Sequence, residues 1–194
     1  MNRKYLIIAI ALVVSLGQIA ASAAEYKVDP VNSFALYKVK HFGASYAYGQ
    51  FTALEGTISF DASNPEASSV AITIKSDSVS THNPGRDRHL SGPDFFNAKE
   101  FPTMKFKSTS WKKAGDGTYT VTGTFTMLGV TKTVTASVEH VGDGKNARGG
   151  AVSGFQAVFK IDRTEFGMNY GVAPDGTGLS KDIEITVSVQ SVKQ

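Results

Sequence analysis

The stretch TYTVTGTFTM, residues 118–127, alternates apolar or small side chains with threonines at a period of two. In an extended chain the first set would share one face: Tyr119, Val121, Gly123, Phe125 and Met127. This alternation is typical of an antiparallel strand with one buried face and one face in water. The stretch therefore predicts an amphipathic β-strand whose aromatic and aliphatic face points toward a protein interior.

The same alternation recurs along most of the chain. It is found at residues 26–29, 33–41, 49–60, 68–76, 104–111, 133–140, 155–161 and 183–189. Glycine-containing connectors at 114–117, 128–129 and 142–144 predict hairpin turns between successive strands. Strands joined by short turns therefore dominate the predicted secondary structure.

The number and spacing of these stretches decide the fold class. About eight or nine antiparallel strands at hairpin spacing fall in the range in which an up-and-down sheet closes on itself. A two-sheet sandwich is the alternative, but neither a cysteine pair nor a tryptophan buried on a central strand supports an immunoglobulin-like one. We therefore predict an all-β domain made of a single antiparallel barrel of about eight strands.

The passage GRDRHLSGPDFFNAKEFP, residues 85–102, interrupts the alternation. Asn83 can cap a helix that begins at Pro84, and a Gly-Pro pair ends this helix after Leu90. A helix this short is unstable in water by itself, so its apolar side chains must dock on the barrel. The sequence predicts a short helical insert near residues 84–97 that lies at one mouth of the barrel.

The chain opens with a short basic segment, followed by an apolar run that ends in the small residues Ala21, Ser22 and Ala23. Residues 1–23 are therefore predicted to be a secretory signal peptide. Residues 24–194 have the usual size of one domain, which we expect in the periplasm without stable membrane insertion. The sequence has no cysteine, so neither a disulfide nor a lipid anchor on cysteine is expected.

Charge and motif content argue against several classes of function. The formal net charge is +3, and no basic block with interleaved aromatic residues indicates a nucleic-acid site. A cysteine nucleophile and a G-x-S-x-G elbow are both missing from the sequence, so no catalytic residue is predicted. The four histidines form no close pair of the kind that zinc sites use, so neither a metal site nor a cofactor is predicted.

Side-chain size on the predicted inward faces bears on whether the barrel is hollow. Small and large residues alternate there: Gly123, Ala136 and Ala157 with Phe125, Val138, Phe155 and Phe159. Such a mixture either leaves a channel between bulky walls or fills a tapered, solid barrel. Tyr37, Val39 and His41 share one face of another predicted strand, but periodicity leaves both outcomes open.

Five motifs carry a resemblance to a known family. They are residues 26–43 (YKVDPVNSFALYKVKHFG), 49–61 (GQFTALEGTISFD), 86–108 (RDRHLSGPDFFNAKEFPTMKFKS), 121–135 (VTGTFTMLGVTKTVT) and 163–168 (RTEFGM). With these motifs the chain after residue 23 resembles the YceI-like family of bacterial periplasmic proteins. The resemblance implies a lipocalin-like barrel that encloses a long apolar molecule: an isoprenoid quinone, a polyprenyl phosphate or a fatty amide. It implies no catalytic residues.

The resemblance also implies a set of ligand-binding residues. It transfers this role to His41, Arg86, His89, Phe95, Phe96, Phe106, Arg163 and Phe166, and the inward faces add Tyr37, Val39, Phe125, Phe155 and Phe159. Our hypothesis is that an amphiphile enters the barrel tail-first, with Arg86, His89 and His41 near its polar end. A neutral or a phosphate head group, and a monomer or a homodimer, remain open alternatives.

A hypothesis from another class of function is a surface or stress-related interaction module. In this case the barrel would be a solid scaffold, and the loops at 46–49 (YAYG) and 169–176 (NYGVAPDG) would bind a partner protein. Tyr46, Tyr48 and Tyr170 favour this hypothesis because tyrosine is enriched at contact surfaces.

Overall fold

The computed structural model describes residues 23–173 and 175–194, so the predicted signal peptide, residues 1–23, lies outside the described residues except for its last residue. This part of the chain contains eleven strands, one α-helix and three short 3₁₀ segments. The strands are β1 (Ala24–Val28), β2 (Phe34–His41), β3 (Ser45–Phe51), β4 (Leu54–Phe60), β5 (Ser69–Lys75), β6 (Val79–Ser80), β7 (Thr103–Gly115), β8 (Thr118–Met127), β9 (Val130–Lys145), β10 (Ala151–Asp162) and β11 (Leu179–Lys193). Helix α1 is Pro84–Leu90, and the 3₁₀ segments are Pro65–Ala67, Ser76–Ser78 and Arg163–Phe166.

The sheet closes on itself. Strand β1 pairs with β4 on one side and with β11 on the other, so β1, β4, β5 and β7 to β11 form a closed ring of 8 strands. Nearer the mouth, β2 takes the place of β1 beside β11. Strand β3 then pairs with β2, and β6 pairs with β3. All pairings are antiparallel, and they follow an up-and-down order. The prediction of a single antiparallel barrel of about eight strands is confirmed.

The barrel has two structurally different ends. At the first, which we call the mouth, lie the turn 42–44, the insert 81–102, the turn 128–129 and the segments 163–173 and 175–178. At the second, the base, lie the connections 61–68, 116–117 and 146–150. The base is packed with aromatic rings: the Phe60 ring centroid lies 5.5 Å from that of Tyr119 and 5.1 Å from that of Phe155.

The helical insert forms as its sequence predicts. Asn83 caps α1, because its Oδ1 accepts a hydrogen bond of 3.0 Å from the backbone N–H of Arg86. The Asp87 carboxylate accepts hydrogen bonds from the backbone N–H (2.7 Å) and the hydroxyl (2.6 Å) of Thr81, which ties the helix to the end of β6. Leu90 and Phe95 are buried against the barrel. The insert is thus fixed to the mouth by both polar and apolar contacts.

Two details of the sequence interpretation were wrong. The turn predicted at residues 142–144 lies within β9, and the chain reverses at 146–150, where the Asn146 side chain accepts hydrogen bonds from the backbone N–H groups of Arg148 and Gly150. Trp111 is also buried, with 2% of its surface exposed. It lies on a strand of a closed barrel rather than in a sandwich.

Inside the barrel, the Phe106 ring lies across Gly123 on the neighbouring strand. A Cβ atom at residue 123 would come to 2.5 Å from the ring of Phe106 and would collide with the carbonyl oxygen of Lys107. Glycine therefore makes room for an aromatic ring that would otherwise have to leave this position.

We expect Gly123→Ala to lower the free energy of unfolding by about 1 to 3 kcal/mol, because both the ring and the backbone of β7 must shift. Gly154→Ala is the matched control, since a Cβ there would make ordinary contacts of 3.6 Å and 3.8 Å. Urea denaturation measures both variants. Equal stability of the Gly123→Ala variant and the wild type would contradict the inferred close packing.

Candidate ligand-binding cavity

The interior of the barrel contains a cavity of about 490 Å³. This volume falls within the range of roughly 300 to 1,000 Å³ that is usual for small-molecule sites. The cavity runs from the aromatic packing near the base to the mouth, where exposed residues such as Arg86 and Tyr170 border it. The alternative of a solid barrel core is therefore wrong for this structure.

The wall of the cavity is almost entirely aliphatic and aromatic. Of the residues predicted from the inward faces and the resemblance, Tyr37, Val39, Phe106, Phe125, Phe155 and Phe159 all line it. Phe125 and Phe159 face each other with ring centroids 5.9 Å apart. Phe166 does not border the cavity but lies behind Phe125, with a centroid distance of 5.6 Å.

The insert supplies two further aromatic residues to the cavity. Phe96 packs edge-on against Phe51, with ring centroids 4.9 Å apart, and also approaches Tyr37 at 6.5 Å. Phe95 packs against Tyr170 at 5.1 Å. These contacts join the insert to strands β2 and β3 and to the segment 163–173. The insert therefore forms part of the cavity wall at the mouth.

Three predicted polar residues lie around the mouth. Arg86 and His89 are exposed, His41 is half-buried, and all three border the cavity. Nε2 of His89 lies 2.9 Å from Oδ2 of Asp94, so this histidine already has a carboxylate partner. The His41 ring packs against Phe42 with centroids 4.1 Å apart. The structure thus gathers the predicted polar residues at one end of an apolar chamber.

Arg163 has a different environment from these three. Its side chain is 2% exposed, and its guanidinium donates hydrogen bonds to four backbone carbonyls: Ser180, Met168 and Tyr170 at 2.9 Å and Leu179 at 3.4 Å. Burial lowers the pKa of the group from its ordinary value. Arg163 borders the cavity, but its hydrogen bonds hold the loop between the 3₁₀ segment Arg163–Phe166 and β11, which shapes the mouth.

Tyr37 contributes a phenol to the wall beside the insert, with its ring centroid 6.5 Å from that of Phe96. Burial raises the pKa of its phenol to about 12, against a smaller opposing effect of the Arg86 charge. Its ring lies over Gly49, where a Cβ atom would overlap the phenol. The phenol is therefore neutral at any physiological pH, and the wall carries no charge at this point.

The predicted ligand-binding set leaves out a second group of cavity residues, although the alternation places Val121 and Met127 on an inward face. These are Ile58, Ile72, Ile74, Met104, Trp111, Val121, Met127, Met168 and Tyr170. The alternation in the stretches that form β4 and β5 was sufficient to place the isoleucines on an inward face.

Within the described residues, no helix is long and apolar enough to cross a bilayer.

Comparison with known proteins agrees with this architecture. The sequence profile of the YceI-like domain matches residues 26–191. A relative from Salmonella arizonae, named Protein YceI, is 39% identical over 177 residues, which cover 90% of both chains. The chain is therefore similar to this relative over nearly its whole length.

Solved structures have the same fold. The Campylobacter jejuni YceI protein is 33% identical and superposes with a TM-score of 0.70 over 80% of this chain and 90% of that chain. A polyisoprenoid binding domain from Saccharophagus degradans, implicated in plant cell wall breakdown, superposes with a TM-score of 0.65 over 89% of this chain and 99% of that chain. At 13% identity, this second likeness concerns the fold alone. From the match to the family profile and the relative with 39% identity, we conclude that the chain belongs to the YceI-like family.

Proposed function

We propose that this protein is a non-catalytic periplasmic binding or carrier protein that holds a long apolar ligand inside its barrel. The ligand class is an isoprenoid quinone, a polyprenyl phosphate or a fatty amide. The observation that carries this proposal is the cavity of about 490 Å³, which is walled by hydrocarbon and aromatic side chains and bordered by polar residues at its mouth. An amphiphile has the matching distribution of apolar and polar groups.

Membership in the YceI-like family supports a binding or carrier role. The polyisoprenoid binding domain from Saccharophagus degradans has the same barrel fold as this chain. The predicted signal peptide supports a periplasmic location, where a hydrophobic molecule in transit between membranes needs a protein that shields it from water.

The apolar tail and the polar head of such a ligand contribute differently to its binding. Burial of one methylene group is worth roughly 0.8 kcal/mol, so one five-carbon isoprene unit gains about 3 to 4 kcal/mol. The sum over several units exceeds observed affinities. Two effects offset the gain: binding orders the flexible chain, and it removes the chain from a membrane that also shields it from water. We infer that burial of the tail sets the affinity, whereas the residues at the mouth set the preference for a charged head group.

Arg86 is the side chain best suited to contact a charged head group. It is exposed, borders the cavity and carries a guanidinium, which donates strong hydrogen bonds to phosphate oxygens. Arg163 has its hydrogen bonds directed to backbone carbonyls, and His89 is paired with Asp94. A phosphate head group therefore depends mainly on Arg86 in this proposal.

The alternative role as an interaction module retains one supporting feature. Tyr46 and Tyr48 are 59% and 58% exposed, and Tyr170 is 48% exposed, as contact residues for a partner protein would be. These tyrosines are compatible with a ligand-carrying barrel, since a carrier must also meet the partner that supplies or accepts its ligand.

Replacement of a cavity phenylalanine by arginine tests the internal site. We expect Phe159→Arg and Phe125→Arg to reduce co-purifying lipid at least about tenfold, because an unpaired charge in the apolar wall is strongly unfavourable. Mass spectrometry of an organic extract measures the lipid, and circular dichroism establishes that each variant is folded. Phe34→Arg, at a position 37% exposed, is the control. Unchanged lipid in folded Phe159→Arg, or no lipid in the wild type, would contradict the proposal.

The contribution of Arg86 can be separated with two soluble probes. We expect Arg86→Ala to weaken the binding of farnesyl phosphate by about three- to tenfold, because a charge-assisted hydrogen bond at an exposed site is lost. Farnesol should bind equally to wild type and variant. Arg88→Ala, on the same helix and also exposed, is the control. A calorimetric titration in which Arg86→Ala weakens both probes equally would remove Arg86 from head-group recognition.

The neutral phenol in the wall makes stability depend on alkaline pH. Unfolded Tyr37 ionises near pH 10, whereas in the folded protein its pKa is about 12. The unfolded state therefore loses its proton first, and the free energy of unfolding falls between these pH values by about 2 kcal/mol. We expect urea denaturation to show this fall in wild type and in Tyr46→Phe, and a smaller fall in Tyr37→Phe, where the pKa of Tyr26 is still raised by burial. The same slope in all three proteins would contradict the buried neutral phenol.

A further inference from the structure

A hydrogen-bond donor without an acceptor lies in the wall of the inner part of the cavity. Trp111 borders the cavity near the base and is 2% exposed. Among the described side chains, its Nε1 is the fully buried polar atom that has no hydrogen-bond partner. Buried N–H groups are satisfied in the great majority of protein structures, so this donor calls for an explanation.

The surroundings of the indole offer mainly aromatic rings. The Trp111 ring centroid lies 6.0 Å from that of Phe60 and 5.8 Å from that of Tyr119. The nearby His140 directs its Nε2 toward the Ser153 hydroxyl at 3.0 Å and the Asp143 carboxylate at 3.2 Å. These polar groups form a cluster of their own on β9 and β10. Because Trp111 borders the cavity, a small shift of its ring would let an atom of the cavity contents act as the acceptor that its buried Nε1–H lacks.

We propose that the inner end of the cavity is a subsite for an uncharged acceptor oxygen on the ligand, with Trp111 Nε1–H as its donor. The subsite takes an apolar chain that carries a carbonyl, ether or hydroxyl oxygen at the end that enters first. This inference rests on the proposed lipid-binding function and adds a specificity determinant to it.

The distribution of charge explains why the acceptor is uncharged. The cationic side chains that border the cavity in the described part of the chain, Arg86 and Arg163 together with the histidines at the mouth, all lie at the opposite end from Trp111. A carboxylate or phosphate at the inner end would be removed from water without a counter-charge, which is strongly unfavourable. A neutral oxygen loses far less on entering and gains one hydrogen bond from the indole.

The subsite gives the two ends of the cavity different preferences. A quinone or amide can place its carbonyl at the inner end, whereas a polyprenyl phosphate must keep its charged head at the mouth. The orientation of a bound ligand therefore follows from whether its polar end is charged.

The sequence contains a single tryptophan, so the indole N–H gives one identifiable signal in a ¹H–¹⁵N spectrum. The probes are 2-dodecanone, which carries a carbonyl near one end, and 1-dodecene, which has a similar chain without oxygen. We expect saturation with the ketone to move the indole proton downfield and to slow its exchange with solvent. The alkene should leave the chemical shift of the indole proton nearly unchanged.

The affinities for the two probes are measured by their displacement of the apolar dye N-phenyl-1-naphthylamine from the purified protein. We expect Trp111→Phe to lower the affinity for the ketone by about fivefold, which is the effect of one neutral hydrogen bond. The affinity for the alkene should change by less than about twofold. Tyr119→Phe is the matched control, because it removes a neighbouring hydroxyl and keeps the aromatic packing. It should alter neither affinity.

The outcomes separate the subsite from the function on which it rests. Equal loss of ketone and alkene affinity in Trp111→Phe, or an equal shift of the indole signal with both probes, would overturn the subsite and leave the cavity as a purely apolar site. If neither probe displaces the dye from the wild type, the proposed binding function itself fails.

Discussion

The antiparallel pairing of β1 with β11 is the interaction on which the rest of the structure depends. It joins Tyr26, Lys27 and Val28 to Lys193, Val192 and Ser191 and thereby closes the ring of 8 strands. A closed sheet satisfies its backbone hydrogen bonds internally and directs every second side chain toward the axis. Once the ring of 8 strands is closed, its interior volume is fixed, and the inward residues either fill it or leave a chamber. In this protein they leave a chamber.

The mouth is built by a different kind of interaction from the wall. The wall is held by strand pairing, whereas the segments around the mouth are held by turn hydrogen bonds and by two charged side chains. Asp87 accepts from Thr81, and Arg163 donates to carbonyls on either side of the loop that leads into β11. Charged residues close to an apolar cavity thus stabilise the loops that shape its entrance. Their presence near a pocket is not by itself evidence that they contact a ligand.

The local patterns of the sequence predicted the strands, the closed fold and the cap at Asn83, because each depends on neighbouring residues. The hollow interior depends on contacts across strands, such as the ring of Phe106 over Gly123, and therefore did not follow from periodicity. Trp111 was missed for a definite reason. An irregularity between Ser108 and Ser110 shifts the register of β7 by one residue, so that the odd-numbered Trp111 joins the even-numbered Phe106 on the inner face.

This shift of register has a consequence for the chemistry of the cavity. Without it, the inner face of β7 would present a serine near the base, and the indole would face solvent on the outside of the barrel. The bulge brings the single tryptophan into the chamber, where its ring adds apolar surface and its N–H is withdrawn from water. A donor in such a place is unfavourable when the cavity holds only hydrocarbon and favourable when it holds an oxygen. The same bulge that completes the packing of the base therefore also gives the inner end of the cavity a chemical preference, distinct from that of the charged mouth.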